Sequence, residues 1–196
     1  MFSETFDRAD GNVVGNAWVE VEMAVAQVGI QSNRLCYLDT SDITNRPLVL
    51  HSFAQVTSGS VVWEYDFDWT RTGSESGYAV LMQLGEAGLL SNSAQDVGVG
   101  VNLIWTVIGG THQRLGYRQD GVTTSIQALS GAAHITVEAN LNTDTYSVAV
   151  DGVQALAGIP FEDGVALDTV RFLTSGLNEV NFSGRCFDNV SILKEN

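Results

Sequence analysis

Residues Val61–Trp69 read V-V-W-E-Y-D-F-D-W, so Trp63, Tyr65, Phe67 and Trp69 alternate with Glu64, Asp66 and Asp68. A strand sends successive side chains to opposite faces, which makes one face aromatic and the other anionic. A helix could not separate them, because its 3.6-residue period smears both sets around the cylinder. The aromatic face needs a cover. In a chain with little helical periodicity, a second sheet supplies it.

The alternation recurs along the chain. Leu48–Gln55 reads as the strand before Val61–Trp69, joined to it through Thr57-Ser58-Gly59-Ser60. In Tyr78–Leu84, Tyr78, Val80, Met82 and Leu84 share a face. Val97–Ile108 puts Val97, Val99, Val101, Leu103, Trp105 and Val107 on one side, with Gly98, Gly100, Asn102, Ile104 and Thr106 on the other. Leu115 and Tyr117 alternate with His112, Arg114, Gly116 and Arg118. His134–Leu141 sends Ile135, Val137, Ala139 and Leu141 inward and His134, Thr136, Glu138 and Asn140 outward. Tyr146–Val150, Val170–Thr174 and a last strand after Gly184 complete the series. Asp120-Gly121 and Asp151-Gly152 are two-residue hairpin signals. Residues 39–47 and 72–77 are loop chemistry, Gly109-Gly110 is a turn, and 85–95 is irregular or a short helix. Short strands punctuated by glycine turns predict an all-β fold, a two-sheet antiparallel β-sandwich, with residues 1–196 as a single domain.

Bulk composition narrows the partners. Hydrophobic residues form 44% of the 196, enough to build such a core. The formal charge is −14 and Lys194 is the one lysine, so a nucleic-acid backbone or an anionic membrane surface would be repelled. No apolar run approaches the roughly 20 residues that span a bilayer, so no membrane insertion is expected. The opening M-F-S-E-T-F-D has neither a basic n-region nor an apolar h-region, and no signal peptide is visible. Cys36 and Cys186 could form a bridge adding about 4–5 kcal/mol by chain entropy, or stay as two buried thiols.

The N-terminal stretch carries Phe6, Arg8, Ala9, Asp10, Gly11, Gly15 and Trp18, followed by Ile30, Asn33, Arg34 and Leu35. The chain closes on Phe187-Asp188-Asn189-Val190-Ser191-Ile192. This F-x-R-A-D-G opening, I-x-x-N-R-L strand and F-D-N-V-x-V-like ending resemble modules of the concanavalin-A-like lectin/glucanase (laminin-G-like) superfamily. The resemblance implies a concanavalin-A-like jelly roll with its first and last strands side by side, bringing Cys36 near Cys186. It also implies a structural calcium held by Asp188, with Asp7 or Glu4 assisting. Related modules occur in extracellular polysaccharide-binding proteins, glycan-cleaving enzymes and phage virion proteins. The expectation is therefore a non-catalytic recognition or display module on a virion surface (a tail or capsid-decoration component) or outside the cell. Its partner would be a polysaccharide, a surface glycan or a neighbouring virion or cell-surface protein. A carbohydrate-binding module of a secreted bacterial polysaccharide-degrading protein is the alternative, and a glycoside hydrolase or polysaccharide lyase comes third.

Three stretches carry candidate chemistry. Glu64-x-Asp66-x-Asp68 resembles the E-x-D-x-E strand of laminarinase-type glycosidases, with the shorter Asp68 in place of the final Glu; such enzymes need paired carboxyls. His112-x-Arg114-x-x-Tyr117-Arg118 has the residue types of an alginate lyase but lacks its Q-x-H and Y-x-K-x-G motifs, and Tyr117 falls on the core side. The third reading is a carbohydrate-binding groove. Gly98 and Gly100 beside Asn102 would give a floor open to ligand, and His112, Arg114, Arg118, His134, Glu138 and Asn140 a polar rim.

Overall fold

The computed structural model describes residues 1–22, 28–37, 47–69, 79–90, 97–108, 112–129, 131–174 and 185–195; for Trp69, Ala79, Val107, Ile108, His112 and Gln113 it describes the backbone alone. The expected loops at 39–46, 72–77 and Gly109-Gly110, the irregular stretch from 91 to 95, Tyr78 and the Trp69 side chain lie outside this description.

Among the described residues every regular element is a strand. In chain order they are β1 Phe2–Glu4, β2 Val19–Val21, β3 Val28–Gln31, β4 Arg34–Tyr37, β5 Leu48–Val56, β6 Ser60–Trp69, β7 Ala79–Gly85 and β8 Val99–Ile108. There follow β9 His112–Gln119, β10 Val122–Ala128, β11 Ala133–Asn140, β12 Thr145–Val150, β13 Val153–Pro160, β14 Leu167–Thr174 and β15 Arg185–Glu195. They form two antiparallel sheets. One is eight-stranded, in the order β13-β12-β11-β6-β15-β4-β3 with β1 also paired to β15; the other is seven-stranded, β10-β9-β8-β7-β14-β5-β2.

The inward rows of both sheets meet in one core. Trp63, Tyr65 and Phe67 are buried, as their alternation predicts. Phe187 stacks on Phe172 of the facing sheet with centroids 4.0 Å apart, and on Phe67 at 4.8 Å. Trp105 meets Phe67 edge-on at 5.9 Å, and the Tyr65 hydroxyl donates to Met82 Sδ at 3.2 Å. The seven-stranded sheet also buries its outward row. Leu48, Leu81, Ile104 and Leu173 form a second apolar cluster there, beside Arg171, whose guanidinium donates to Gln83 Oε1.

The opening motif serves the fold. Gly11 bridges Ile30 through two backbone hydrogen bonds, and Asp10 accepts from the Ser32 amide at 2.7 Å. Arg8 lies over the Phe6 ring and pairs with Glu4 at 2.9 Å, while Trp18 stacks on Phe172. β1 and β4 both flank β15, and Cys36 and Cys186, opposite one another, are joined in a disulfide. Both hairpin signals hold: Asp120-Gly121 and Asp151-Gly152 adopt φ of 51° and 75° in each case, the left-handed pair that a two-residue turn requires.

One edge of the expected pattern is corrected. Val97 is exposed, not inward, because Gly98 at φ 75° turns the chain before β8 begins. The Gly98 and Gly100 floor is also corrected. A Cβ on Gly98 would meet Leu89 at 2.6 Å, and one on Gly100 would meet Leu167 at 2.9 Å, so both glycines admit the protein's own chain.

Phe67→Ala is expected to lower the unfolding free energy by about 3–5 kcal/mol in a urea titration. Val122→Thr, on the exposed edge strand β10, should stay within about 0.5 kcal/mol. The native protein should yield no alkylatable thiol. Reduction should remove up to about 5 kcal/mol, given the long loop the bridge closes.

Candidate functional site

Outward positions of four adjacent strands converge on the eight-stranded sheet. In register, His134 of β11 lies beside Asp66 of β6, and Asp66 lies beside Asp188 of β15. One step along, Asp68 lies beside Cys186, itself opposite Cys36 of β4. These rows border a pocket of ≈330 Å³ lined by Arg34, Asp66, Asp68, His134, Asp151 and Asp188.

The acids of β6 face away from the core as expected, yet they are half-buried and partnered, not bare to solvent. Asp66 Oδ1 is 2.7 Å from His134 Nδ1, and Asp66 Oδ2 accepts from Asn189 Nδ2 at 2.6 Å. Asn189 reaches it because β15 carries a bulge between Asp188 and Ser191, with Asn189 at φ 49°. His134 Nε2 lies 3.9 Å from Glu64 Oε1, so both ring nitrogens face carboxylates. The His134 amide donates to Asp151, and Arg34 pairs with Asp68.

Asp188 differs from its neighbours. Burial pushes its carboxyl above the usual range and the charges of Asp66 and Asp7 add to this, against the Asn189 amide and Arg34. Glu4 shows the opposite balance. Burial would raise it, but hydrogen bonds from Asn16, the Phe6 amide and Arg8, with the charge of Arg8, hold it below the usual range.

The calcium expectation meets a sparse donor set. Asp7 and Asp188 are near enough to repel, but Asp188 Oδ1 already accepts from the Asn189 amide and Glu4 is committed to Phe6, Asn16 and Arg8. Among the described residues no group of three or more His, Cys, Asp or Glu could hold a metal ion. Side chains alone fall short of calcium's shell of six to eight oxygens, so backbone carbonyls would have to complete it.

The seven residues expected in one groove divide between two faces that point apart. Asn102, His112, Arg114 and Arg118 belong to the seven-stranded sheet, where Asn102 is fully buried and accepts from Gln83 Nε2 at 2.8 Å. The His112 side chain lies outside the description. Arg114 and Arg118 are half-buried there, while Tyr117 packs on the core side and cannot join them. His134, Glu138 and Asn140 share the outer face of the eight-stranded sheet, and each lines a depression. Sequence reasoning had Asp66, Asp188 and Arg34 in hand but did not assemble them. The available signal was the implied pairing of the N-R-L and F-D-N-V strands.

Asp188→Asn is expected to stabilise the fold at neutral pH. A carboxyl whose folded pKa is raised stabilises fully below its unfolded value, near 3.9, and that stability is lost as pH rises through the folded value. The melting-temperature gain of Asp188→Asn, measured in a chelating buffer, should therefore shrink on acidification and vanish below about pH 3.9. An Asp188→Asn protein less stable than the wild type at pH 7 would contradict it.

No family model matches the chain, and no curated protein matches it. Solved structures do. A sialidase aligns over 97% of this chain with a TM-score of 0.67 and 12% identity, although the chain spans only 19% of that protein. A carbohydrate esterase from the Shiga toxin-encoding bacteriophage phi24B aligns over 99% of this chain and 97% of its own, with a TM-score of 0.67 and 9% identity. The Emp46p carbohydrate recognition domain in its potassium-bound form aligns over 96% and 94%, with a TM-score of 0.57 and 10% identity. Identities this low speak for architecture alone, and that architecture is plain: the chain folds as a lectin-like, concanavalin-A-type antiparallel jelly roll.

Proposed function

We propose that this chain is a glycan-recognition module that binds on the outer face of its eight-stranded sheet, around the pocket of Asp66, His134, Arg34 and Asp188. The observation carrying the reading is that pocket. It is open, and its polar side chains are held in place by one another across four strands. Preset carboxylate, imidazole and guanidinium groups suit a ligand rich in hydroxyls, because each hydroxyl both donates and accepts. A lectin-like fold shared with a carbohydrate recognition domain supports the same reading.

The role is binding without bond cleavage. Both oxygens of Asp66 and the carboxylate of Asp68 are engaged by protein donors, so neither stands free as one of the paired carboxyls that glycoside cleavage needs. Display on a virion, as a tail or capsid-decoration component, or outside the cell is consistent with the Cys36–Cys186 bridge, since disulfides persist in oxidising surroundings. The phage-encoded neighbour supports the virion setting. The sialidase, of which this chain matches a fifth, supports a module carried by a larger glycan-processing protein.

A glycan array tests the proposal. The wild type should retain particular glycans, and Asp66→Asn or His134→Ala should weaken binding by about tenfold or more, at roughly 1.4 kcal/mol per decade. Reducing-end and unsaturated-product assays on the bound glycans should stay at background. Binding that survives both substitutions would move the site elsewhere, and released product would make the chain an enzyme.

A further inference from the structure

The pocket does not end at His134. Outward residues of β11 continue down the sheet as Thr136, Glu138 and Asn140, and each is flanked in register by a short side chain of β12: Ala149, Ser147 and Thr145. Two more depressions lie along this line. One is lined by Thr136, Glu138, Ser147 and Gln154 and the other by Ser60, Glu138, Asn140, Thr145 and Glu195, so they adjoin at Glu138 and Ser147. The first also touches Gly152, next to Asp151 of the main pocket. From His134 to Asn140 the row runs ~20 Å at ~6.8 Å per outward step, several sugar rings long.

The walls have two characters. On the β6 and β15 side, Val62 is half-buried and its registered neighbour Leu193 is 52% exposed, beside Glu138. This small apolar surface can take the C–H face of a sugar ring, while Glu138, Asn140, Ser147 and Thr145 meet its hydroxyls. Charge sets the remaining choice. Asp188, Asp66, Glu64, Glu138 and Glu195 all belong to these rows, and the guanidinium of Arg34 is already engaged by Asp68. A uronate or sulfated chain would be repelled along the whole length.

Resting on the glycan reading above, we infer that the site is an extended groove along β11 for a linear polysaccharide of uncharged or amine-bearing sugars, bound through several successive rings. The Asp66–His134 pocket holds one end, and the Glu138–Asn140 segment holds rings further along.

The test takes glycans retained on an array that contains neutral, amine-bearing and anionic chains, and titrates the oligosaccharide series of each from two rings to six by calorimetry. Affinity should rise by at least about tenfold across the series, a 1.4 kcal/mol gain from the added rings. Glu138→Ala and Ser147→Trp, the second filling the groove floor, should erase this gain while leaving the two-ring affinity and the melting temperature unchanged. Asp66→Asn should weaken every member. A two-ring ligand that binds as tightly as the six-ring one, or gains that survive Ser147→Trp, overturns the groove and leaves the glycan reading standing. Preference for anionic chains overturns the ligand class. Retention of no glycan overturns the groove and the reading beneath it together.

Discussion

Stacking of Phe187 on Phe172 across the sandwich, with Phe67 layered behind Phe187, is the contact on which the remaining structure depends. It fixes the register of β6 against β15 and holds both against the facing sheet. Because a strand's side chains alternate without slack, fixing the inward row fixes the outward one. Once Phe67 and Phe187 face each other, Asp66 and Asp188 must lie side by side on the opposite surface. A one-residue slip would send the aromatic residues into solvent and scatter the pocket.

The pocket thus inherits its geometry from the core, and that inheritance has a cost. Like charges directly opposed on neighbouring strands repel. The protein offsets this unevenly. Among the described residues Asp66 receives His134 and Asn189, Asp68 receives Arg34, and Asp188 has a backbone donor and the charge of Arg34. The bulge at Asn189 is part of this compensation, since a regular β15 would turn the amide away from Asp66. Sites built for binding often retain such tension, because a ligand with suitable donors relieves it.

Much of the fold was legible because it is written in local periodicity. The alternation of Trp63, Tyr65 and Phe67, and the left-handed turns at Asp120-Gly121 and Asp151-Gly152, need only near neighbours to be understood. The edge strands β10 and β13 were not read. Their exposed residues, such as Val122, Thr123 and Val153, have no buried face to impose alternation. The site was legible only in fragments, because strand order is not a local property. His134 and Arg114 look equivalent along the chain, yet they stand on opposite sides of the sandwich. Asp66 and Asp188, far apart in sequence, stand together. Gly98 and Gly100 misled for a related reason: a missing side chain reports close approach without saying whether a ligand or the protein's own chain approaches.

The Cys36–Cys186 bridge has a mechanical consequence. It ties together residues separated by 150 positions, and β1 and β4 both lie against the strand that carries Cys186. Tension entering through the two ends of the chain would run from β1 and β4 across the bridge to β15, bypassing everything between. Residues 37–185, which carry Asp66, Asp68 and His134, would be shielded from the load, whereas Arg34 and Asp188 lie on the segments outside the bridge and would feel it.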